Sequence, residues 1–333
     1  MRFSIIGCQH PHISIFIEEM IGLGHECVGI YEPENVPLAQ TIAERYSLQI
    51  VQDMEPLLDE TVEVVGCASI NNEKINIIEK CERYGKHIMI DKPAVVNRQD
   101  FNRLKAVAER GNIQIGMLLT ERFRPSIYTL KKQIDEGSLG DIVSISMRKP
   151  HQLNPSKRPS WHFSREQSGG IIIDLFIHDI DLLRWLTGDE INSISSYMAK
   201  NILPEHPSFY DAAGLQIVMN DGVTSQLYAD WHTPDKSWTW GDCRIYVVGT
   251  QGVAEIRLEG DPFISEDDLL LQVSDKEELS EIPKITPPFT LTEDFLYRIR
   301  GEKGMLGHQD LLAATEVTVY ADEQARKIKR TGL

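Results

Sequence analysis

Cysteine is scarce in this chain: there are five among 333 residues (Cys8, Cys27, Cys67, Cys81, Cys243), odd in number, scattered and never spaced C-x-x-C. That excludes a disulfide framework or a zinc ribbon and fits a reduced, cytoplasmic compartment. No apolar run approaches the length of a membrane-spanning helix. The start, Met1-Arg2-Phe3-Ser4-Ile5-Ile6-Gly7, lacks the long apolar core of an export leader and reads as a strand entering a turn. Basic residues are in deficit too: 34 Lys and Arg face 50 Asp and Glu, a formal charge of −16. Such a chain is not expected to bind nucleic acid or an anionic membrane surface. Internal repeats and low-complexity segments are absent. The length suffices for two domains.

The first half alternates apolar runs with helical patterns. Strands are expected at Phe3–Ile6, Glu26–Tyr31, Val62–Ala68, His87–Ile90 and Ile113–Leu118. Helices are expected at His12–Leu23, Val36–Tyr46, Glu73–Tyr84 and Arg98–Arg110. Short connections in strict alternation imply α/β architecture, a parallel sheet wrapped on both faces. Near residue 120 the pattern changes. After a helix at Arg124–Glu136, strands are expected at Ile142–Arg148, Ile191–Ala199, Ala212–Met219, Val223–Trp231, Arg244–Val248 and Val253–Leu258. A helix around Asp174 interrupts them, and Asn220-Asp221-Gly222 is a hairpin signal. Residues 1–120 and 121–333 are therefore read as two domains, the second carrying a large, mostly antiparallel open sheet. Ser274–Pro288 reads as a surface loop, and helices at Thr292–Arg300 and His308–Lys329 close the chain, the last one able to pack back on the first domain.

After the first strand, Gly7-Cys8-Gln9-His10-Pro11-His12 stands where a dinucleotide fold places G-x-G-x-x-G. Only Gly7 survives; Gln9 and His12 hold the other two glycine positions. The context supports the fold better than the motif does, because an apolar strand precedes the turn and a helix follows. Glu32 ends the second strand, placed to accept hydrogen bonds from ribose hydroxyls. No Lys or Arg follows it in Pro33-Glu34-Asn35-Val36, which favours NAD over NADP. An exposed strand-end carboxylate is the plainer reading of Glu32. His10 and His12 could converge on one ion, but Pro11 between them and the lack of a neighbouring carboxylate or cysteine argue against it, and no metal site is expected.

The segment Gly169-Gly170-Ile171-Ile172-Ile173-Asp174-Leu175-Phe176-Ile177-His178-Asp179-Ile180-Asp181 puts a carboxylate and an imidazole on one helical face within an apolar stretch. Buried polar groups of this kind are costly unless paired or used. With Asp91-Lys92-Pro93 far upstream, it implies an active site built from two distant segments. The bland alternative is that Asp174 caps or braces a core histidine. Asp179 and Asp181 read as hydrogen-bonding residues of the helix rather than ligands.

Taken together, the strand and glycine turn, the acidic strand end, Gly85-Lys86-His87-Ile88-Met89-Ile90-Asp91-Lys92-Pro93 and the Gly169–Asp181 segment resemble the glucose–fructose oxidoreductase/inositol dehydrogenase (Gfo/Idh/MocA) family. Its usual forms are G-K-H-V-x-x-E-K-P and G-G-x-x-x-D-x-x-x-H-x-x-D. The resemblance implies an N-terminal Rossmann domain, a second domain with an open sheet, and NAD(P)-dependent activity on sugars, cyclitols or related polyols. It also implies a homodimer or homotetramer associating through that sheet. Lys92 matches the family lysine, Asp174 and His178 the family pair, and Pro93 the proline under the nicotinamide, often preceded by a cis bond. Asp91 replaces the usual Glu, Asn71 matches the polar residue after the third strand, and Lys74 stands in place of a usual His. The cofactor side would thus comprise Gly7, Gln9, His10, Pro11, His12, Glu32, Asn71, Lys74, Asp91, Lys92 and Pro93.

Oxidising a secondary alcohol needs a base near the hydroxyl and a positive group near the developing alkoxide. His178 suits the first task and Lys92 the second, with Asp174 orienting either cation. Substrate contacts are expected from Arg122, Lys149, Trp161 and His178, with Arg124, His151 and His162 also near the domain junction; ordinary packing roles compete at each. Trp231, His232, Trp238 and Trp240 read as a core or interface cluster before a substrate platform. Two other functions stay open: a hydrolase or lyase that recycles tightly held NAD, and a non-catalytic sensor on the same scaffold.

Overall fold

Five runs of buried aliphatic residues form a parallel sheet in the computed structural model, which describes residues 1–330. They are β1 (Arg2–Cys8), β2 (Glu26–Tyr31), β3 (Val64–Ala68), β4 (His87–Ile90) and β5 (Ile115–Met117), ordered β2-β1-β3-β4-β5. Helices α1 (Ile13–Gly22), α2 (Val36–Tyr46), α3 (Lys74–Arg83) and α4 (Arg98–Arg110) connect them. Every residue of β3 is buried, as a central strand of a covered sheet requires. α1 buries Ile13, Phe16, Ile17 and Met20, the i, i+3, i+4, i+7 stripe of an amphipathic helix. Because the chain leaves β1 toward β2 on one side and reaches β3 on the other, the strand order reverses beside β1. Ligands of open α/β sheets bind at such a reversal, beyond the carboxyl ends of the strands.

The chain divides into two compact units. The first comprises Met1–Leu119, Glu166–Gly169 and Phe289–Glu316, the second Thr120–Arg165, Gly170–Pro288 and the stretch from Val317 onward. In the first unit His308 accepts a hydrogen bond on Nε2 from the Ile115 N–H at 2.9 Å. Burial, and then Arg298, pull its pKa down from 6.5 to about 4. Between those values the unfolded chain binds more protons than the folded one, so stability rises with pH. This contribution is complete above about pH 6.5 and is lost as pH falls toward about 4. The melting temperature is expected to drop between pH 7 and pH 5, with a shallower slope in His308→Gln; equal slopes in both proteins would contradict it.

The second unit holds α5 (Pro125–Asp135), β6 (Ile142–Pro150), α7 (Gly170–Thr187), β7 (Ile191–Lys200), β8 (Ala212–Met219), β9 (Thr224–Asp230), β10 (Arg244–Gly249), β11 (Gly252–Arg257), β12 (Leu269–Ser274), β13 (Ser280–Glu281) and β14 (Arg326–Lys329). The short helices α6 (Arg165–Ser168) and α8 (Leu291–Ile299), and the longer α9 (His308–Gln324), complete the chain. The nine strands order as β13-β12-β11-β10-β6-β9-β8-β7-β14. Pairing is antiparallel except for β6 with β9 and β14 with β7. α7 packs across the inner face, against β6, β7, β8 and β9.

Three strands differ from expectation. β12 was unread, and β13 lies in the stretch read as loop. The closing helix stops at Gln324, and Arg326–Lys329 instead pairs with Tyr197–Lys200 at the edge of the sheet. An edge partner confers strand structure on a charged segment with no intrinsic signal for it. Among the described residues, no helix is long and apolar enough to cross a membrane.

Candidate active site

Gly7, next to last in β1, has φ +87°, and a Cβ there would lie 2.5 Å from the Ser69 backbone nitrogen. Only glycine fits both the left-handed backbone and that close approach. Gln9 departs from glycine because its side chain is used: Nε2 donates to Glu32 Oε1 at 2.8 Å. Glu32, buried at the end of β2, also accepts from the Cys8 N–H at 2.5 Å and from the Glu34 and Asn35 N–H groups at 2.8 and 2.9 Å. Three of those four bonds fall on Oε1, which leaves acceptor capacity on Oε2. Glu32 is thus a buried organiser of its own turn rather than an exposed strand end.

Beside it runs a groove of about 210 Å³ whose lining includes Gly7, Gln9, Tyr31, Glu32, Ser69 and Ile70. Glu34 and Glu73 add two carboxylates, and no Lys or Arg lines it. Burial, then Glu34 and Glu32, push the Glu73 carboxyl above its usual pKa.

Lys92 and Pro93 follow β4, joined by a cis peptide bond. Lys74 sits under this loop, 1% exposed. Its ammonium donates to Asn71 Oδ1 at 2.8 Å, to the Asp91 carbonyl at 2.7 Å and to the Pro93 carbonyl at 3.2 Å. Asn71 in turn donates to the Ser168 carbonyl at 2.9 Å. Lys74 was expected on the cofactor side; the structure places its ammonium inside the loop, within a ring of acceptors of the kind a buried ammonium needs. Lys92 itself is 8% exposed.

Asp91 turns toward the glycine turn. His10 Nδ1 lies 3.3 Å from its Oδ2 and His12 Nδ1 3.3 Å from its Oδ1. The His12 N–H also lies 3.3 Å from His10 Nδ1. The carboxylate missing around His10 and His12 in the sequence therefore arrives from the end of β4. Burial would raise the Asp91 pKa, but His10, Lys74 and His12 outweigh it and hold the carboxyl well below its usual range.

In the second unit, α7 carries Asp174 and His178 one turn apart on one face; Asp174 is half-buried and His178 buried. Because α7 is buried nearly all round, its other charges need partners. Asp181 takes a two-pronged bond from Arg122, at 2.8 Å from Nε and 2.5 Å from Nη2, both residues 1% exposed. Asp179 pairs with Lys149 at 2.8 Å. Burial disfavours the Lys149 charge, but Asp179 and Glu121 outweigh it and raise its pKa. Arg122 and Lys149, expected to grip substrate, are each ion-paired to an aspartate of α7.

The residue that sequence reasoning passed over is Arg158. Its guanidinium lies 5.0 Å from the Trp231 ring and 5.4 Å from the Trp240 ring, within cation–π range. Burial lowers its pKa, and the Asp174 carboxylate opposes that shift, so the two charges are within electrostatic reach. Trp231 is buried edge-on to His162 at 5.2 Å and His151 at 5.5 Å, while Trp240 is exposed. Trp161 is buried next to His162. No spacing rule links Arg158 to a tryptophan so far along the chain.

A parallel sheet with a groove at its carboxyl edge, followed by a large open sheet, defines a Rossmann-type α/β protein with a second sheet domain. Residues 1–117 match the oxidoreductase family described by its NAD-binding Rossmann fold, and residues 127–255 match the GFO/IDH/MocA C-terminal domain. The chain belongs to the Gfo/Idh/MocA family. It is 30% identical over 203 residues to scyllo-inositol 2-dehydrogenase (NAD(+)) of Bacillus subtilis, covering 60% of this chain and 56% of that protein. It is 28% identical over 219 residues to inositol 2-dehydrogenase of Rhizobium meliloti, covering 64% and 63%. Less than two thirds of either relative is spanned. A solved structure from Erwinia carotovora atroseptica superposes with a TM-score of 0.90 at 26% identity, covering 98% of this chain and 99% of that one.

Proposed function

We propose that this protein is an NAD-dependent oxidoreductase moving a hydride between a secondary hydroxyl of a sugar, cyclitol or related polyol and nicotinamide. The observation that carries it is the Asp91-Lys92-Pro93 loop, fixed by Lys74 at the carboxyl end of β4, in a family whose relatives include inositol dehydrogenases.

NAD would supply the hydride acceptor. The groove beside Gly7 suits the nucleotide half, with Glu32 Oε2, which accepts the Cys8 N–H, able to take a second bond from a ribose hydroxyl. Three glutamates and no cation along that groove favour a 2′-hydroxyl over a 2′-phosphate, hence NAD over NADP. In this reading the His178 imidazole takes the hydroxyl proton. The Lys92 ammonium stabilises the oxygen as negative charge develops on it, and Asp174 orients the imidazole. Trp231, Trp240 and Arg158 offer a stacking and charged surface for a polyol. Arg122 and Lys149 are left out of the substrate set because Asp181 and Asp179 hold them.

Reduction of NAD when the protein is offered aldoses and cyclitols, scyllo-inositol and D-xylose among them, is the expected result. Calorimetry detecting no NAD binding would overturn the reading. Cofactor that co-purifies and shows no net reduction at the end of a reaction would point instead to the recycling chemistry of a hydrolase or lyase.

The proposal includes self-association as a homodimer or homotetramer, in a cytoplasmic setting. The outer face of the second sheet exposes Tyr197, Val218, Tyr246, Val248 and Val253, and the β10–β11 register pairs Val248 with Val253. Exposed aromatic and aliphatic side chains on one sheet face suit an interface. Tyr246→Glu with Val248→Glu is expected to give a folded monomer by light scattering, and an unchanged mass in that variant would contradict the assignment.

A further inference from the structure

We propose that His10, His12 and Asp91 form a binding site for one divalent transition-metal ion, with zinc as the fitting case. One ring nitrogen of each histidine and a carboxylate oxygen lie within 4.8 Å of one another. The two nitrogen-to-oxygen distances are 3.3 Å each. Zinc bonds of about 2.0–2.1 Å in a tetrahedron put neighbouring ligand atoms about 3.3–3.4 Å apart, the separation at which each imidazole already stands from one oxygen of the Asp91 carboxylate. The donor set is also right, because two imidazoles and a carboxylate suit zinc and its first-row neighbours and are too nitrogen-rich for calcium or magnesium.

Rigidity and access are both present. Asp91 is anchored by its position at the end of β4, and its side chain is 3% exposed, whereas His10 and His12 are 27% and 43% exposed. The carboxylate is held from within while the imidazoles open to solvent, which gives an ion an entry path. Pro11 between the histidines stiffens the turn, and their rings meet edge-on at 4.0 Å. Three protein ligands leave a fourth position for water or for an oxygen of a bound molecule.

The place of the site has a consequence. Dinucleotide folds hold the diphosphate at this turn through backbone N–H groups that glycines leave accessible, and here Gln9 and His12 replace two of those glycines. A metal ion would restore positive charge at that point. This consequence rests on the proposed function, but the site does not, so the test uses full-length protein without nucleotide.

Tag-free protein is stripped with chelator and titrated with zinc by calorimetry, then with cobalt(II) by visible absorption. One equivalent of zinc and a tetrahedral cobalt spectrum are expected. His10→Ala and His12→Ala, both at half-exposed positions that folding tolerates, should each weaken zinc binding on the order of 100-fold. Asp91→Asn should do the same if it folds. His25, whose Nδ1 lies 3.0 Å from the N-terminal amine, is the main competing ligand, and His25→Ala should leave the affinity unchanged. Absence of stoichiometric zinc, or binding that follows His25 and ignores His10 and His12, would overturn the proposal.

Discussion

Lys92→Met is expected to lower kcat by about 10²–10⁴ while NAD affinity falls less than tenfold. Methionine keeps the length and apolar stem of the side chain and removes only the ammonium. The loop should survive, because its carbonyls are held by Lys74 rather than by Lys92. The loss would therefore fall on kcat, the signature of an interaction made mainly in the transition state. His178→Asn should cause a loss of similar size. Steady-state kinetics with calorimetric NAD binding separate the two effects. Unchanged kcat in both variants would remove these residues from the chemistry.

The second large effect concerns stability. Arg122→Met removes the two-pronged guanidinium partner of the buried Asp181 carboxylate, and breaking a buried pair from one side costs about 3–5 kcal/mol. Urea unfolding should show that loss as a lower midpoint. The double variant Arg122→Met/Asp181→Leu is expected to recover most of it, because an apolar pair of similar volume needs no counter-charge. A single-variant loss below about 1 kcal/mol, the range of exposed ion pairs, would show that the pair does not hold α7 in place.

Much of the fold was legible because period carries it. The strand–helix alternation of the first half and the alternating strands of the second appear within a few residues of their expected places. The Asp174/His178 face was equally legible, since i and i+4 share a side of any helix. What was illegible depends on partners distant in sequence. The Lys74 ammonium is enclosed only because the Asp91 and Pro93 carbonyls, 17 and 19 residues away, arrive above it. Asp91 reaches His12 across 79 residues, so the sequence around His10 and His12 shows no carboxylate. Arg122 and Lys149 looked available because a lone cation in sequence does not show the aspartate that will claim it. β14 is a strand only because β7 offers it an edge.

The central claim is that Lys92 and His178 handle the proton of one substrate hydroxyl while its carbon faces nicotinamide. A crystal structure of the ternary complex, with NADH and the polyol turned over fastest, tests it most directly. The expected result is a single hydroxyl within about 3.2 Å of both Lys92 Nζ and a His178 ring nitrogen. A polyol whose reacting hydroxyl meets neither side chain would contradict it.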